Sequence, residues 1–98
     1  MNVRHADRKL DRLETEPGYT AGFGKDLIKS YRKKMQIIRA ARDERDFYAM
    51  KSLHYEKLKG KRSHQRSMRL NDQFRLIIEI EEDAAGNVAV IISIEDYH

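Results

Sequence analysis

The spacing of apolar residues changes part-way along the chain. Over residues 25–42, Leu27, Ile28, Tyr31, Met35 and Ile38 return every three or four positions, while Lys25, Lys29, Arg32, Gln36 and Arg39 fall on the opposite side. That repeat predicts an amphipathic helix. In the last third the period becomes two: Met68 and Leu70, then Phe74, Leu76, Ile78 and Ile80, then Val88, Val90, Ile92 and Ile94 all occupy even positions. Three strands with one buried face are predicted. The connections at residues 71–73 and 83–87 are too short for parallel crossovers, so the strands form an antiparallel meander.

Weaker signals fill the remainder. Ala6, Leu10 and Leu13 lie at helical spacing within residues 5–15, and Glu16-Pro17-Gly18 stops them, which predicts a short first helix. Gly18, Gly22 and Gly24 mark a loop. Phe47 and Met50, after Asp43-Glu44, suit a further helical turn. Residues 57–66 carry Lys57, Lys59, Lys61, Arg62 and Arg66 around Gly60, the composition of an exposed basic loop. The expectation is one α+β domain over residues 1–98, with N-terminal helices packed on a small antiparallel sheet.

Strand register adds chemistry to this outline. Keeping Met68, Leu70, Phe74 and Leu76 on one buried face requires 70 to face 74 and 68 to face 76, across a three-residue turn of type I with a bulge. Arg69 then stands opposite Arg75 on the other face, a like-charge pair that weakens a sheet unless an anion relieves it. Either an acid such as Glu95 or a substrate phosphate meets that need. In the last hairpin, 80 facing 88 and 75 facing 93 are allowed, as are registers shifted by two. The chain end then emerges beside the first turn, near the two arginines.

Composition narrows the partners. The chain has 20 Lys and Arg against 16 Asp and Glu, a formal charge of +4, which favours a polyanionic or acidic partner. Cysteine is absent, so disulfides, thiolate metal sites and cysteine nucleophiles are excluded. No apolar run reaches the length of a membrane span or leader, and a cytoplasmic location is expected. No Walker loop, dinucleotide fingerprint or nucleophile elbow is present, and no histidine pair has metalloprotease spacing. Neither a metal nor a cofactor is expected.

Cutting RNA without a metal requires a base for the 2′-hydroxyl, cations for the phosphoryl oxygens and an acid for the departing 5′-oxygen. Arginine suits the second task and histidine the proton transfers. His54 and His64 flank the basic loop, and Tyr97 and His98 close the chain after a predicted strand. His5 has no role beyond surface or cap.

The stretch LKGKRSHQRSMRLNDQFRLIIEI at residues 58–80, followed by AVIISIEDYH at residues 89–98, resembles the HigB toxins of the RelE/ParE superfamily. The likeness rests on a Leu-Lys-Gly lead-in to a basic loop, a strand ending in Arg-Leu-Asn-Asp-Gln, an aromatic-Arg step and a closing Glu-Asp-Tyr-His. It implies a RelE-like fold, often with a short extra strand from the N-terminus, for which residues 1–5 are available. It also implies a ribosome-dependent ribonuclease that cuts messenger RNA. The implied partner is a HigA-type helix-turn-helix antitoxin, through which alone the toxin meets operator DNA. The family's functional lysine falls on Lys59, its arginine on Arg75 and its terminal pair on Tyr97 and His98. Its histidine falls on His54 once a two-residue insertion is accepted before Lys59.

The expected catalytic set is therefore Arg75, Tyr97, His98 and Lys59. Arg69, His54, Lys57, Lys61, Arg62, His64 and Arg66 are the expected RNA contacts. Two rivals keep some of these features without hydrolysis: a ParE-like inhibitor of DNA gyrase, and a basic RNA-binding module.

Overall fold

The computed structural model describes residues 1–96, and Tyr97 and His98 lie outside it. The helix predicted from the apolar stripe is α2, Lys25–Ala40, and all five stripe residues are buried. Leu13, Tyr31, Met35 and Ile38 are fully enclosed, and they share one core with Met68, Leu76 and Ile78 of the sheet. Burial of this stripe against one sheet face is what holds the two layers together.

The preceding helix α1 spans Arg8–Thr15 and starts later than the residue pattern predicts. Asp7 ends the extended segment and caps the helix by accepting from the Lys9 amide at 2.9 Å, the usual service of an aspartate at that position. His5 and Ala6 instead belong to the sheet side, where the Ala6 amide donates to the Ile91 carbonyl at 2.8 Å. The end of α1 is held by α2. Tyr31 donates its hydroxyl to the Leu10 carbonyl at 2.8 Å. Arg32 donates to the Leu13 carbonyl at 3.0 Å and the Glu16 carbonyl at 2.9 Å. The Leu13 carbonyl, which the helix end leaves without an intrahelical donor, is thereby satisfied. A short α3, Arg45–Ala49, buries Phe47 and leaves Met50 beyond it exposed.

The sheet contains β1 (Asn2–His5), β2 (Glu56–Lys57), β3 (Arg66–Arg69), β4 (Phe74–Asp83) and β5 (Gly86–Asp96), in the order β1-β5-β4-β3-β2. It is mixed, which corrects the purely antiparallel expectation: β1 runs parallel to β5. The helical segment between them supplies the long crossover that a parallel pair requires. The basic stretch is also more ordered than a loop, since it holds β2 and a 3-10 turn at Gly60–Arg62. Gly60 enters that turn at φ +65, a conformation that costs glycine little.

The first hairpin has the expected register, with Met68 opposite Leu76 and Arg69 opposite Arg75. Its turn is tied by Asn71, whose Oδ1 accepts from the amides of Gln73 at 2.8 Å and Phe74 at 2.7 Å. The Gly-rich loop brings Phe23 edge-on to Phe74, with ring centroids 6.0 Å apart.

The last hairpin departs from expectation. Arg75 faces Glu95 and Ile77 faces Ser93, but Ile78 then faces Ile91, and Ile80 faces Ala89 in place of residue 88. Ile92 is the extra residue of a bulge in β5. Beyond the bulge the two sides of β5 exchange. Ala89 and Ile91 join the core, whereas Val88 and Val90 take the outer face. Ile94, before the exchange, packs on the core as predicted.

Tyr31→Phe should lower the stability of the free protein by about 1 kcal/mol, because the buried bond from the Tyr31 hydroxyl to the Leu10 carbonyl is lost. A reduced urea midpoint with an unchanged slope is the expected reading; an unaltered midpoint would show that this bond contributes nothing.

Candidate active site

The sheet face turned away from α2 carries side chains in transverse rows. Register places Arg69, Arg75 and Glu95 side by side across β3, β4 and β5, and Ser67, Ile77 and Ser93 in the next row. Residues that pair across strands share a face, so this grouping follows from the pleat alone. The segment at residues 58–65 folds over the second row. Arg62 makes a bidentate pair with Glu95 at 2.9 and 2.7 Å, and Gln65 donates to Glu79 at 3.1 Å. Between this segment and the sheet lies a pocket of about 220 Å³ bordered by Leu58, Arg62, Ser67, Arg75 and Glu95.

Each arginine of the cross-strand pair has a partner on this face. Arg69 bonds Asp72 in the turn, and Arg75 donates to the His54 carbonyl at 3.0 Å. Glu95 stands opposite Arg75, yet its carboxylate accepts from Arg62 and from Ser93. The Arg62 guanidinium holds the Glu95 carboxyl below its usual range, against an opposing push from burial. Asp96 ends the described chain beside the first turn, opposite Phe74 and accepting from Gln73 at 3.1 Å.

The structure brings only part of the expected set to this face. Arg75, Arg69 and Arg62 are there. Lys59 is exposed, and its carbonyl accepts from the Arg62 amide at 3.4 Å. Lys61, next to Arg62, is exposed as well. His64 is exposed and lies 3.7 Å from Glu79. His54 contributes its backbone carbonyl, from a left-handed residue at φ 46.

Arg66 is not brought to this face. Its even position puts it on the core side with Met68, where it donates to Glu44 at 2.8 Å beside the Tyr55 hydroxyl, which donates to the same oxygen. Lys57 pairs with Arg66 in register and shares its side. The alternation that placed Met68 inside was a signal sufficient to place Arg66 as well. Tyr97 and His98 fall outside the described residues.

One cluster escaped sequence spacing because a strand and a helix supply it. His5, Asp11 and Glu14 bring potential ligand atoms within 4.8 Å of one another. Both Glu14 oxygens already accept from Arg39, at 2.7 and 2.9 Å, and His5 meets one of them at 3.0 Å. That arrangement ties β1 to the helices and lowers the Glu14 carboxyl, chiefly through Arg39.

Comparison with known proteins places this arrangement in a family. A family profile described as the RelE-like toxin HigB of type II toxin–antitoxin systems matches residues 4–98. The chain belongs to the HigB-like toxin family. A YoeB/ParE toxin from Agrobacterium tumefaciens has a similar structure, with a TM-score of 0.62 over 100% of both chains at 12% identity. A conserved hypothetical protein from Helicobacter pylori, solved in solution, gives 0.56 over 99% of this chain and 94% of its own, at 10% identity. Likeness at such identity speaks for a shared fold alone. No curated protein matches the chain. Membership makes this HigB-like chain the toxin of a type II pair and gives it a protein antitoxin as partner. Among the described residues no helix is long and apolar enough to cross a membrane.

The Arg62–Glu95 pair predicts an acid dependence. A carboxyl held below its ordinary value adds stability above that value and loses it as pH falls through the folded pKa. Thermal melts of the wild type and Glu95→Gln should therefore differ most near neutrality and converge as the pH drops below about 4. A gap that widens in acid would contradict the pairing.

Proposed function

We propose that this HigB-like toxin is a ribosome-dependent endoribonuclease that cuts messenger RNA and so stops translation. The observation that carries the reading is the Arg69–Arg75 row on the outer sheet face, with the chain arriving at Asp96 beside the same turn. Two guanidiniums fixed by register are suited to a phosphate, since each donates in a rigid fork and keeps its charge at any working pH.

In this mechanism Arg75, aided by Lys59 and Arg69, neutralises the charge that grows on the non-bridging phosphoryl oxygens. The 2′-hydroxyl loses its proton to one group of the Tyr97–His98 pair and its oxygen attacks phosphorus. The bond to the 5′-oxygen breaks, and that oxygen takes a proton from the other group. A 2′,3′-cyclic phosphate and a 5′-hydroxyl result. The site is shallow, so alignment of the message by the ribosome supplies much of the rate.

A HigA-like helix-turn-helix protein is the proposed antitoxin, and operator DNA is met only through it. The cytoplasm, where ribosomes and message meet, is the proposed location.

Brief induction of the wild type, Arg75→Ala and a chain lacking His98, followed by mapping of new RNA 5′ ends, tests the reading. The wild type should cut, and loss of the Arg75 guanidinium should reduce cutting by about 100-fold or more. Intact transcripts together with stalled replication would replace the nuclease reading with a gyrase inhibitor. Growth arrest that survives loss of His98 would favour an RNA-binding module without hydrolysis.

A further inference from the structure

Ser67 is the one polar residue fully buried among the described residues, and its hydroxyl has no hydrogen-bond partner. Buried hydroxyls are paired in nearly all proteins because a desolvated, unmade bond is costly. A strand position between Arg66 and Met68, facing Ile77 across the ladder, has no need of such a group, and alanine would fill the same space. Ser67 also lines the pocket under residues 58–65, so its unmet capacity sits where a ligand can meet it.

The charge around that pocket decides between ligand classes. Arg62 and Arg75 contribute two positive groups, and Glu95 and Asp96 contribute two negative ones. A phosphate entering there meets no net attraction from these residues. Leu58 and Ile77 provide apolar walls, and at about 220 Å³ the space lies below the roughly 300 Å³ at which pockets for drug-sized ligands begin. A small, neutral, flat group with donors and acceptors along one edge satisfies all three conditions. Unpaired bases of single-stranded RNA are groups of this kind, read by their edges once splayed from the strand.

We propose that this pocket is a nucleobase subsite, which receives one unpaired base adjoining the cut phosphate and reads its edge with Ser67, Arg62 and Glu95. The proposal rests on the nuclease reading for the adjacency to the cut. In the unbound protein the Ser67 hydroxyl is closed over, and the Arg62–Glu95 pair must part for a base to enter. That pair is suited to opening, because its side chains are 46% and 38% exposed and exposed ion pairs hold weakly. When they part, the guanidinium offers donors and the carboxylate offers acceptors to the base, and Ser67 gains the partner it lacks. Ser67 is thus a specificity-determining residue.

Two measurements on the full chain test this. Amide spectra of the purified toxin are recorded during titration with each nucleoside 5′-monophosphate and, separately, with ribose 5-phosphate. At least one nucleotide should shift the Ser67, Ile77 and Glu95 signals while ribose 5-phosphate leaves them in place, and Ser67→Ala should weaken that binding by about three- to tenfold. Equal shifts from ribose 5-phosphate would make the pocket an anion site and overturn the proposal.

Mapping of cuts in Ser67→Ala and Glu95→Gln should then show an altered base beside the break. Cutting with an unchanged neighbouring base sinks the subsite and leaves the nuclease standing. Absence of any cutting by the wild type sinks the nuclease reading, and the titration still decides base binding on its own. Ser67→Ala should fold at least as stably as the wild type, since it removes an unpaired buried group.

Discussion

Burial of one face of the β3–β4 hairpin against α2 is the constraint on which the remainder depends. Met68, Leu70, Leu76 and Ile78 must lie inward together, and the pleat gives no freedom beyond that choice. Every odd residue of the same strands is sent outward, so Arg69 and Arg75 become neighbours although like charges oppose it. The core therefore positions the candidate site: a slip of one residue would bury the arginines and expose Met68, Leu76 and Ile78. Stability and function are linked through a single register.

The two sides of the sheet use charge differently. On the helix side, Glu44 is shared by Tyr55 and Arg66, and Glu14 is shared by Arg39 and His5. Apart from Arg39, these groups are mostly withdrawn from water, and they tie separate elements together. On the outer side, Arg62 and Glu95 remain half-exposed and join a short turn to a strand. The first kind of pairing suits a framework and the second suits a surface that exchanges partners, because exposed pairs can be traded for new ones at little cost.

How much of this was legible in the sequence depended on whether a periodic force acted on the residues concerned. The stripe of α2 and the register of the first hairpin could be read because burial acts on every third or fourth residue, or every second. The bulge could not. Val88, Val90 and Ile92 keep a regular apolar alternation, and one additional residue moves Ala89 and Ile91 inward without leaving any mark in composition. β1 and β2 are too short to show a period. Arg62 and Glu95 meet across 33 positions, and His5 reaches Glu14 from another element, so no local spacing records either contact. Arg66 was legible in principle, since it alternates with Met68, but its place in a basic run concealed that.

The parallel pairing of β1 with β5 sets an order on how the molecule comes into being. Asn2 finds its neighbour in Val88, so β1 has to wait for a strand made long after it. Such distant pairing delays closure of the sheet. Glu95, which completes the arginine row, belongs to the same late strand. A polypeptide on which β5 has not yet been made thus lacks both the partner of its first strand and the third member of that row, so sheet closure and completion of the outer face are one event.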